Sequence, residues 1–152
     1  MTKDAVRAYY ASFSEREWQR LTNPDDGTVE FALTKQLLAT YLPPSGRVLD
    51  LGGGPGRYTI WLAERDYQVV LADLSPELLA IARTQIAAAG VNQQVEAVVE
   101  ADACDLTAGP APALTRLCAW GRSIICPILP IVRGLPRSLR ACCDQVASPL
   151  WP

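Results

Sequence analysis

The sequence predicts an α/β fold in which helices flank a parallel sheet. Three short apolar segments have the composition of buried strands, and they alternate with segments of helical periodicity. A glycine-rich turn follows the first strand, and an aspartate lies at or near the end of each of the three strands. Strands that alternate with helices pair in parallel through right-handed crossovers. We therefore expect the spatial order 3-2-1, with the three aspartates along one edge of the sheet.

Two helical segments are predicted before the first strand. The first covers residues 3–21, and the second covers residues 28–42 and ends at Pro43 and Pro44. The larger apolar residues of the second segment recur at spacings that place them largely on one face of the helix. These residues are Phe31, Leu33, Leu37, Leu38, Tyr41 and Leu42.

The predicted sheet begins after these helices. The first strand covers residues 47–51, a helix covers 56–65, and a second buried strand covers 68–72 and ends at Asp73. Because the two strands are joined through a helix, we expect them to be parallel neighbours.

The next helix has clear boundaries in the sequence. Ser75 is a typical N-cap residue, Pro76 suits the first helical turn, and Gly90 is typical of the position just beyond a helix carboxyl end. A third strand is then predicted over residues 95–100, and it ends before Asp102.

Composition excludes several function classes. The 152 residues are 49% hydrophobic and 20% charged, which is typical of one globular domain. The net charge of −2 favours neither nucleic acid nor a membrane surface as a partner, and no apolar run approaches the roughly 20 residues of a membrane helix. Because the sequence has no histidine, histidine-centred catalytic and metal sites are excluded. Its five cysteines contain no C-x-x-C pair, so we expect no metal, no disulfide framework and a cytoplasmic setting.

The segment VLDLGGGPG, residues 48–56, carries the most specific signal. Glycines at a strand-to-helix turn let the backbone turn sharply and let a ligand approach main-chain N–H groups. Asp50 stands two residues before Gly52, where nicotinamide-binding folds usually carry an apolar residue. Arg57 occupies the place of the third glycine of the dinucleotide fingerprint. Asp73, at the end of the second strand, is close to the spacing at which a carboxylate reaches ribose hydroxyls.

Residues from about Tyr9 to Leu106 resemble the amino-terminal half of a class I S-adenosylmethionine-dependent methyltransferase, and most of all the small bacterial type 11/25 group. The resemblance depends on the order of one acid, the glycine turn and two further acids. It implies a Rossmann-like fold, S-adenosylmethionine as the cofactor and methyl transfer to a small-molecule acceptor, and it assigns no general base. The implied cofactor-binding residues are Asp50, Gly52, Gly54, Gly56, Asp73, Leu74, Asp102 and Ala103.

Each of these residues has a role that the resemblance implies. Asp50 would lie near the methionine amino group, and the glycines would form the turn around the cofactor. Asp73 would bind the ribose diol, Leu74 would flank the adenine, and Asp102 with Ala103 would contact the adenine amine and ring. Alternatively, Asp73 only caps the following helix, and Asp102 is an ordinary solvated acid at a strand end. The leading helices resemble the lid of these enzymes and carry the aromatic residues Tyr9, Tyr10 and Trp18.

The sequence changes character near residue 107. Residues 1–107 contain nine basic and fifteen acidic residues, whereas residues 108–152 contain five arginines and one acid, Asp144, together with seven prolines and four cysteines. We therefore divide the chain into a cofactor-binding core over 1–107 and a tail over 108–152. The core comprises a helical lead-in over 1–45 and a βαβαβ unit over 46–107.

The tail lacks the landmarks that the family shows after the third strand. Neither an F-D-x-V strand nor a P-G-G turn is present, and the composition is typical of an out-of-frame reading of a GC-rich gene. We therefore expect the fourth strand to be missing, which would leave residues 47–51 as an exposed edge. Any tail strand over 123–125 or 128–132 would be interrupted by Pro127 or Pro130.

Three functions follow from these observations. The first is S-adenosylmethionine-dependent methyl transfer, and the second is a truncated, non-catalytic chain that only binds the cofactor. The third is an NAD-binding oxidoreductase, which Asp50 and Arg57 disfavour. The fourth strand discriminates between the first two functions, because it would lie beside the first strand where cofactor and substrate meet.

Overall fold

The computed structural model describes residues 3–23, 27–102, 116–121 and 124–129. These ranges contain five helices and five strands. In chain order they are α1 (Lys3–Ser12), α2 (Ser14–Arg20), α3 (Gly27–Tyr41), β1 (Arg47–Leu51), α4 (Arg57–Ala63), β2 (Gln68–Asp73), α5 (Pro76–Ala89), β3 (Val95–Glu100), β4 (Arg116–Gly121) and β5 (Ile124–Leu129).

The strands form one sheet in the order β3-β2-β1-β4-β5. The strands β1, β2, β3 and β4 are parallel, and β5 is antiparallel to β4. Leu49 in β1 pairs with Val70 of β2 on one side and with Leu117 of β4 on the other. The predicted α/β fold class and the order 3-2-1 of the first three strands are confirmed. Because these strands are parallel, their carboxyl ends lie along one edge of the sheet.

Two expectations about the tail are wrong. The fourth strand is present and β1 is not an edge, because β4 pairs with it in parallel along Val48–Leu51. The sequence of β4, RLCAWG, contains no proline and therefore keeps the backbone donors that a central strand needs. Pro127 lies within β5, and the β4–β5 pairing shifts register between Cys126 and Leu129, so the expected irregularity at this proline is present. Among the described strands β5 is at the sheet margin, where a missing N–H is tolerated.

The helix α3 does not bury the face that its periodicity suggested. Leu38 is only 3% exposed and Leu42 only 8%, whereas Leu33 and Tyr41 are 54% and 63% exposed. Helical spacing identifies residues that share a face, but the neighbours that cover the face are set by tertiary packing. The exposed side chains Val29, Leu33, Leu37 and Tyr41 recur every four residues along this helix.

The other helix boundaries follow local chemistry. The N–H of Leu78 donates to Ser75 Oγ at 3.3 Å, and Gly90 ends α5 in the left-handed conformation with φ of +74°. The predicted single helix over 3–21 is instead two helices, because Phe13 has φ −120° and ψ 12°. No helix in the described ranges is long and apolar enough to cross a membrane.

Apolar side chains cover both faces of the β1–β2 pair. One cluster packs α4 and α5 against the sheet and includes Leu62 and Leu71, neither of which is exposed. Neighbouring strand residues point to opposite faces, so a second cluster forms on the other side. Its buried members are Leu49, Leu51, Val70 and Ala72. The β1–β2 pair is therefore a rigid base for the turn that follows β1.

That turn packs directly on the sheet at Gly53. A Cβ added to Gly53 would overlap Leu71 Cδ1 and would lie 2.5 Å from Asp50 Oδ2. Both neighbours belong to buried residues of the central strands, so they have little room to move. Gly53 is therefore required for close approach of the backbone to the sheet.

Substituting Gly53 with alanine is expected to lower the free energy of unfolding by about 2–3 kcal/mol, because the new methyl group overpacks a buried site. Gly90→Ala is the matched control. Nothing lies within 4 Å of an added Cβ there, so only the φ of +74° is penalised, at about 1 kcal/mol. Urea titration followed by circular dichroism measures both losses. Equal losses for the two variants would contradict the steric argument.

Candidate functional site

The glycine turn, residues 52–56, lies at the carboxyl end of β1 and begins α4. Gly52, Gly54 and Gly56 have φ of +72°, +53° and +87°, a region that side chains with a Cβ rarely adopt. The N–H of Gly52 donates to Ala72 O at 2.7 Å, which attaches the start of the turn to β2. Gly56 is the N-cap residue of α4. All three predicted glycines therefore have the conformation for which glycine is required.

The carboxylate of Asp73 joins the turn to the next helix. The N–H of Gly54 donates to its Oδ2 at 2.8 Å, and the N–H of Ser75 donates to its Oδ1 at 2.9 Å. Burial raises the pKa of Asp73, and the N–H donors of Ser75, Gly54 and Leu74 oppose that rise by stabilising the charged form. A carboxylate has about four acceptor positions, so these three N–H donors leave acceptor capacity at the 9% of Asp73 that stays exposed.

Asp50 lies beneath the turn. It is fully buried, and its Oδ2 accepts a hydrogen bond of 2.5 Å from the hydroxyl of Thr59 in α4. A Cβ on Gly53 would lie 2.5 Å from the same oxygen, so the turn passes close to this carboxylate. Asp50 therefore supports the glycine turn from inside the protein, and no part of it is exposed at the crevice. Its contact with a methionine amino group stays a prediction.

The remaining predicted residues lie on adjacent strand ends. Leu74 and Asp102 are both half-buried; Leu74 directly follows β2, and Asp102 lies two residues after the end of β3. The N–H of Ala101 donates to Asp73 O at 2.9 Å, which is a direct backbone link between the two strand ends. The structure therefore brings Asp73, Leu74 and Asp102 to one edge of the sheet. Ala103 lies outside the described residues.

Two arginines that the sequence did not predict as site residues attach the leading helices to this edge. Arg57 lies 3.5 Å from the ring centroid of Trp18, and its Nε donates to Trp18 O at 2.9 Å. Arg7 donates from Nε to Leu74 O at 3.1 Å and forms an ion pair with Glu100. Sequence spacing does not predict contacts between residues as distant in the chain as Arg7 and Leu74 or Trp18 and Arg57. The one signal in the sequence is that Arg57 occupies the position of the third glycine.

The titratable side chains around the crevice are mainly carboxylates. Glu77 lies in the first turn of α5, and Glu17 of α2 is close enough to Asp73 to favour its neutral form. Glu100 ends β3 and is balanced by Arg7. Within the described ranges no group of three or more acidic or cysteine side chains could hold a metal ion. The described side chains therefore offer hydrogen-bond acceptors for hydroxyl and amine donors.

Comparisons with known proteins agree with this geometry. A family described as a methyltransferase domain matches residues 48–122, a range that begins in β1 and includes β4. The chain is 41% identical over 61 residues to a tRNA 5-carboxymethoxyuridine methyltransferase of Escherichia coli strain K12, which covers 40% of this chain and 23% of the relative. It is 30% identical over 95 residues to a magnesium-protoporphyrin O-methyltransferase of Rhodobacter capsulatus, which covers 55% of this chain and 42% of the relative.

A solved structure shows the same fold. The S-adenosylmethionine-dependent methyltransferase of Thiobacillus denitrificans, crystallised with S-adenosylhomocysteine, is 25% identical and superposes with a TM-score of 0.55. The match covers 77% of this chain and 44% of that one, so this chain spans less than half the length of the relatives described here. The domain match, these relatives and the parallel sheet with its glycine turn support a class I S-adenosylmethionine-dependent methyltransferase.

Proposed function

We propose that this chain binds S-adenosylmethionine in the crevice where β1, β2 and β3 end, and that it transfers the methyl group to a small-molecule acceptor in the cytoplasm. The observation that carries the proposal is the carboxylate of Asp73. It is held between the N–H groups of Gly54 and Ser75 at the mouth of the crevice. The Asp73 carboxylate is therefore a fixed anionic acceptor beside the glycine turn, whose surface consists of main-chain atoms.

The residues at the crevice fit the nucleoside part of the cofactor. The remaining acceptor positions of Asp73 suit the two hydroxyls of a ribose, each of which can donate one hydrogen bond. A Cβ on Gly54 would lie 4.0 Å from Asp73 Oδ2, so a longer side chain there would enter the space beside the carboxylate. Leu74, Asp102 and Ala103 follow the two neighbouring strands and are the proposed contacts of the adenine.

Asp50 is proposed to act through the turn. Its buried carboxylate holds Thr59 of α4 and lies against Gly53, so it fixes the backbone that would contact the methionine part of the cofactor. Gly52, Gly54 and Gly56 supply that backbone. A buried hydrogen-bonded acid in this position keeps the turn in one conformation before the ligand arrives.

The bound cofactor would supply an electrophilic methyl group on a sulfonium. The chain would contribute binding and orientation. Holding two reactants in a productive orientation can lower the activation barrier by about 7–11 kcal/mol relative to free reactants. Asp73 and Leu74 would orient the nucleoside, and the leading helices would limit access of water from one side. We assign the acceptor-binding role to no described residue.

Charge favours a small molecule over nucleic acid as the acceptor. One relative acts on tRNA and another on magnesium-protoporphyrin, so membership of the family is compatible with either class. Nucleic acid binding requires basic side chains that neutralise phosphates. Here the carboxylates of Glu17, Glu77 and Asp102 lie around the crevice, Glu100 is paired with Arg7, and the whole chain has a net charge of −2.

S-adenosylhomocysteine is expected to bind the full chain more tightly than NAD. Asp73→Asn is expected to weaken its binding at least tenfold, because the variant lacks the charge that strengthens hydrogen bonds from ribose hydroxyls. Asp66→Asn, at an exposed acid away from the crevice, is the matched control and leaves binding unchanged. Titration calorimetry gives the dissociation constants. Tighter binding of NAD, or wild-type affinity of Asp73→Asn, would contradict the proposed site.

The affinity for S-adenosylhomocysteine is also expected to fall at acid pH. Burial raises the pKa of Asp73, and hydroxyl donors bind only weakly to a protonated carboxyl group, so protons compete with the ligand. The dissociation constant should therefore rise as the pH falls through a midpoint above the ordinary aspartate value of about 3.9. Measurements between about pH 4.5 and 7.5 test this dependence. The Asp73→Asn variant should bind weakly with a flat profile, and the same slope in that variant would refute the assignment.

The acceptor class is tested with radiolabelled S-adenosylmethionine. Labelled methyl groups are expected in a small-molecule fraction of a bacterial extract and not in its tRNA. A filter-binding assay at about 50 mM salt should show no retention of tRNA by the chain, because low salt favours any phosphate contacts. Labelling of tRNA would overturn the small-molecule acceptor. Cofactor binding without labelling of either fraction would favour the second candidate, a non-catalytic chain.

A further inference from the structure

We infer that Arg7 of α1 is a positioning residue for the ribose-binding carboxylate of Asp73, and this inference rests on the proposed function. Arg7 lies in the helical lead-in, outside the matched range 48–122. Its guanidinium nevertheless contacts the two segments that follow β2 and end β3. The contact with Leu74 O is connected to Asp73 through the Leu74–Ser75 peptide unit.

The contact with Leu74 controls a single peptide unit. Arg7 Nε donates to Leu74 O at 3.1 Å, and the N–H of the same peptide unit, which belongs to Ser75, donates to Asp73 Oδ1 at 2.9 Å. Because a peptide unit is planar, the direction of its C=O fixes the direction of its N–H. Arg7 therefore holds the donor that orients the Asp73 carboxylate.

The second contact holds the guanidinium in place. Arg7 forms an ion pair with Glu100, whose side chain is 48% exposed. An ion pair at such exposure stabilises the fold little by itself. The planar fork of an arginine, however, sets a fixed separation between two acceptors. The guanidinium thus bridges the end of β3 and the peptide unit after Asp73, near the backbone hydrogen bond from Ala101 N–H to Asp73 O.

A lysine could not replace this arrangement. Its ammonium group is a single point charge without the planar fork, so it would contact either the carbonyl of Leu74 or the carboxylate of Glu100 in a less fixed geometry. Loss of Arg7 removes the hydrogen bond to Leu74 O, so the Leu74–Ser75 peptide and the acceptor positions of Asp73 are held less firmly before the ligand binds. We therefore expect loss of Arg7 to weaken binding of the nucleoside part of the cofactor.

The test compares Arg7→Met, Arg7→Lys and the control Arg16→Met by titration calorimetry on the full chain. Arg16 is an exposed arginine of α2 whose guanidinium lies 5.8 Å from the Phe13 ring centroid. The probes are S-adenosylhomocysteine and 5′-methylthioadenosine, which lacks the amino-acid part. Both Arg7 variants are expected to raise both dissociation constants by the same factor, about tenfold or about 1.4 kcal/mol, and Arg16→Met is expected to change neither.

A double-mutant cycle separates positioning from simple packing. Because Arg7 acts through Asp73, adding Arg7→Met to Asp73→Asn should weaken binding by much less than it does in the wild-type background. An Arg7 variant that only lowers the unfolding midpoint and binds both probes normally would overturn the inference, and so would additive effects in the cycle. If Arg7→Met fails to fold, Arg7→Lys decides the question. A wild-type chain that binds neither probe would instead refute the proposed function, and the inference with it.

Discussion

The hydrogen bonds of the Asp73 carboxylate are the interaction on which the rest of the site depends. One oxygen accepts from the glycine turn after β1, and the other accepts from the first residue before α5. Two connections that are separate in the sequence are thereby joined at one buried anion. Burial makes that anion costly, which its raised pKa reflects, and main-chain donors offset the cost. The shape of the crevice therefore depends on main-chain groups that are arranged around one side chain, Asp73.

The glycine turn depends on a second acid in a different way. Both Asp50 and Asp73 contact this short segment; Asp50 is fully buried, whereas Asp73 is 9% exposed and accepts the N–H of Gly54. Gly53 can fit over Asp50 only because it has no side chain, and Gly54 can donate to Asp73 because its φ is positive. The glycines of the turn, with Asp50 before it and Asp73 beside it, thus meet a packing requirement as well as forming the proposed ligand contacts.

Features with local causes could be predicted from the sequence, and features with distant causes could not. The strands β1, β2 and β3 and the limits of α5 follow from short apolar runs, a serine cap and a terminal glycine. The strand β4 was missed because its sequence, RLCAWG, has none of the expected family landmarks, and pairing with β1 depends on tertiary structure. The division of the chain at residue 107 stays a prediction, and the matched range continues beyond it.

The leading helices α1 and α2 are part of the structure around the site. A domain match over residues 48–122 omits α1 and α2, yet both helices are attached to the crevice through arginine side chains. Arg57 points from the start of α4 toward Trp18, whereas Arg7 points from α1 toward Leu74. The contacts therefore run in both directions across the same boundary. Each arginine donates to a main-chain carbonyl and also contacts a side chain, which is the Trp18 ring for Arg57 and the Glu100 carboxylate for Arg7. The glycine turn and the leading helices thus form one unit around Asp73.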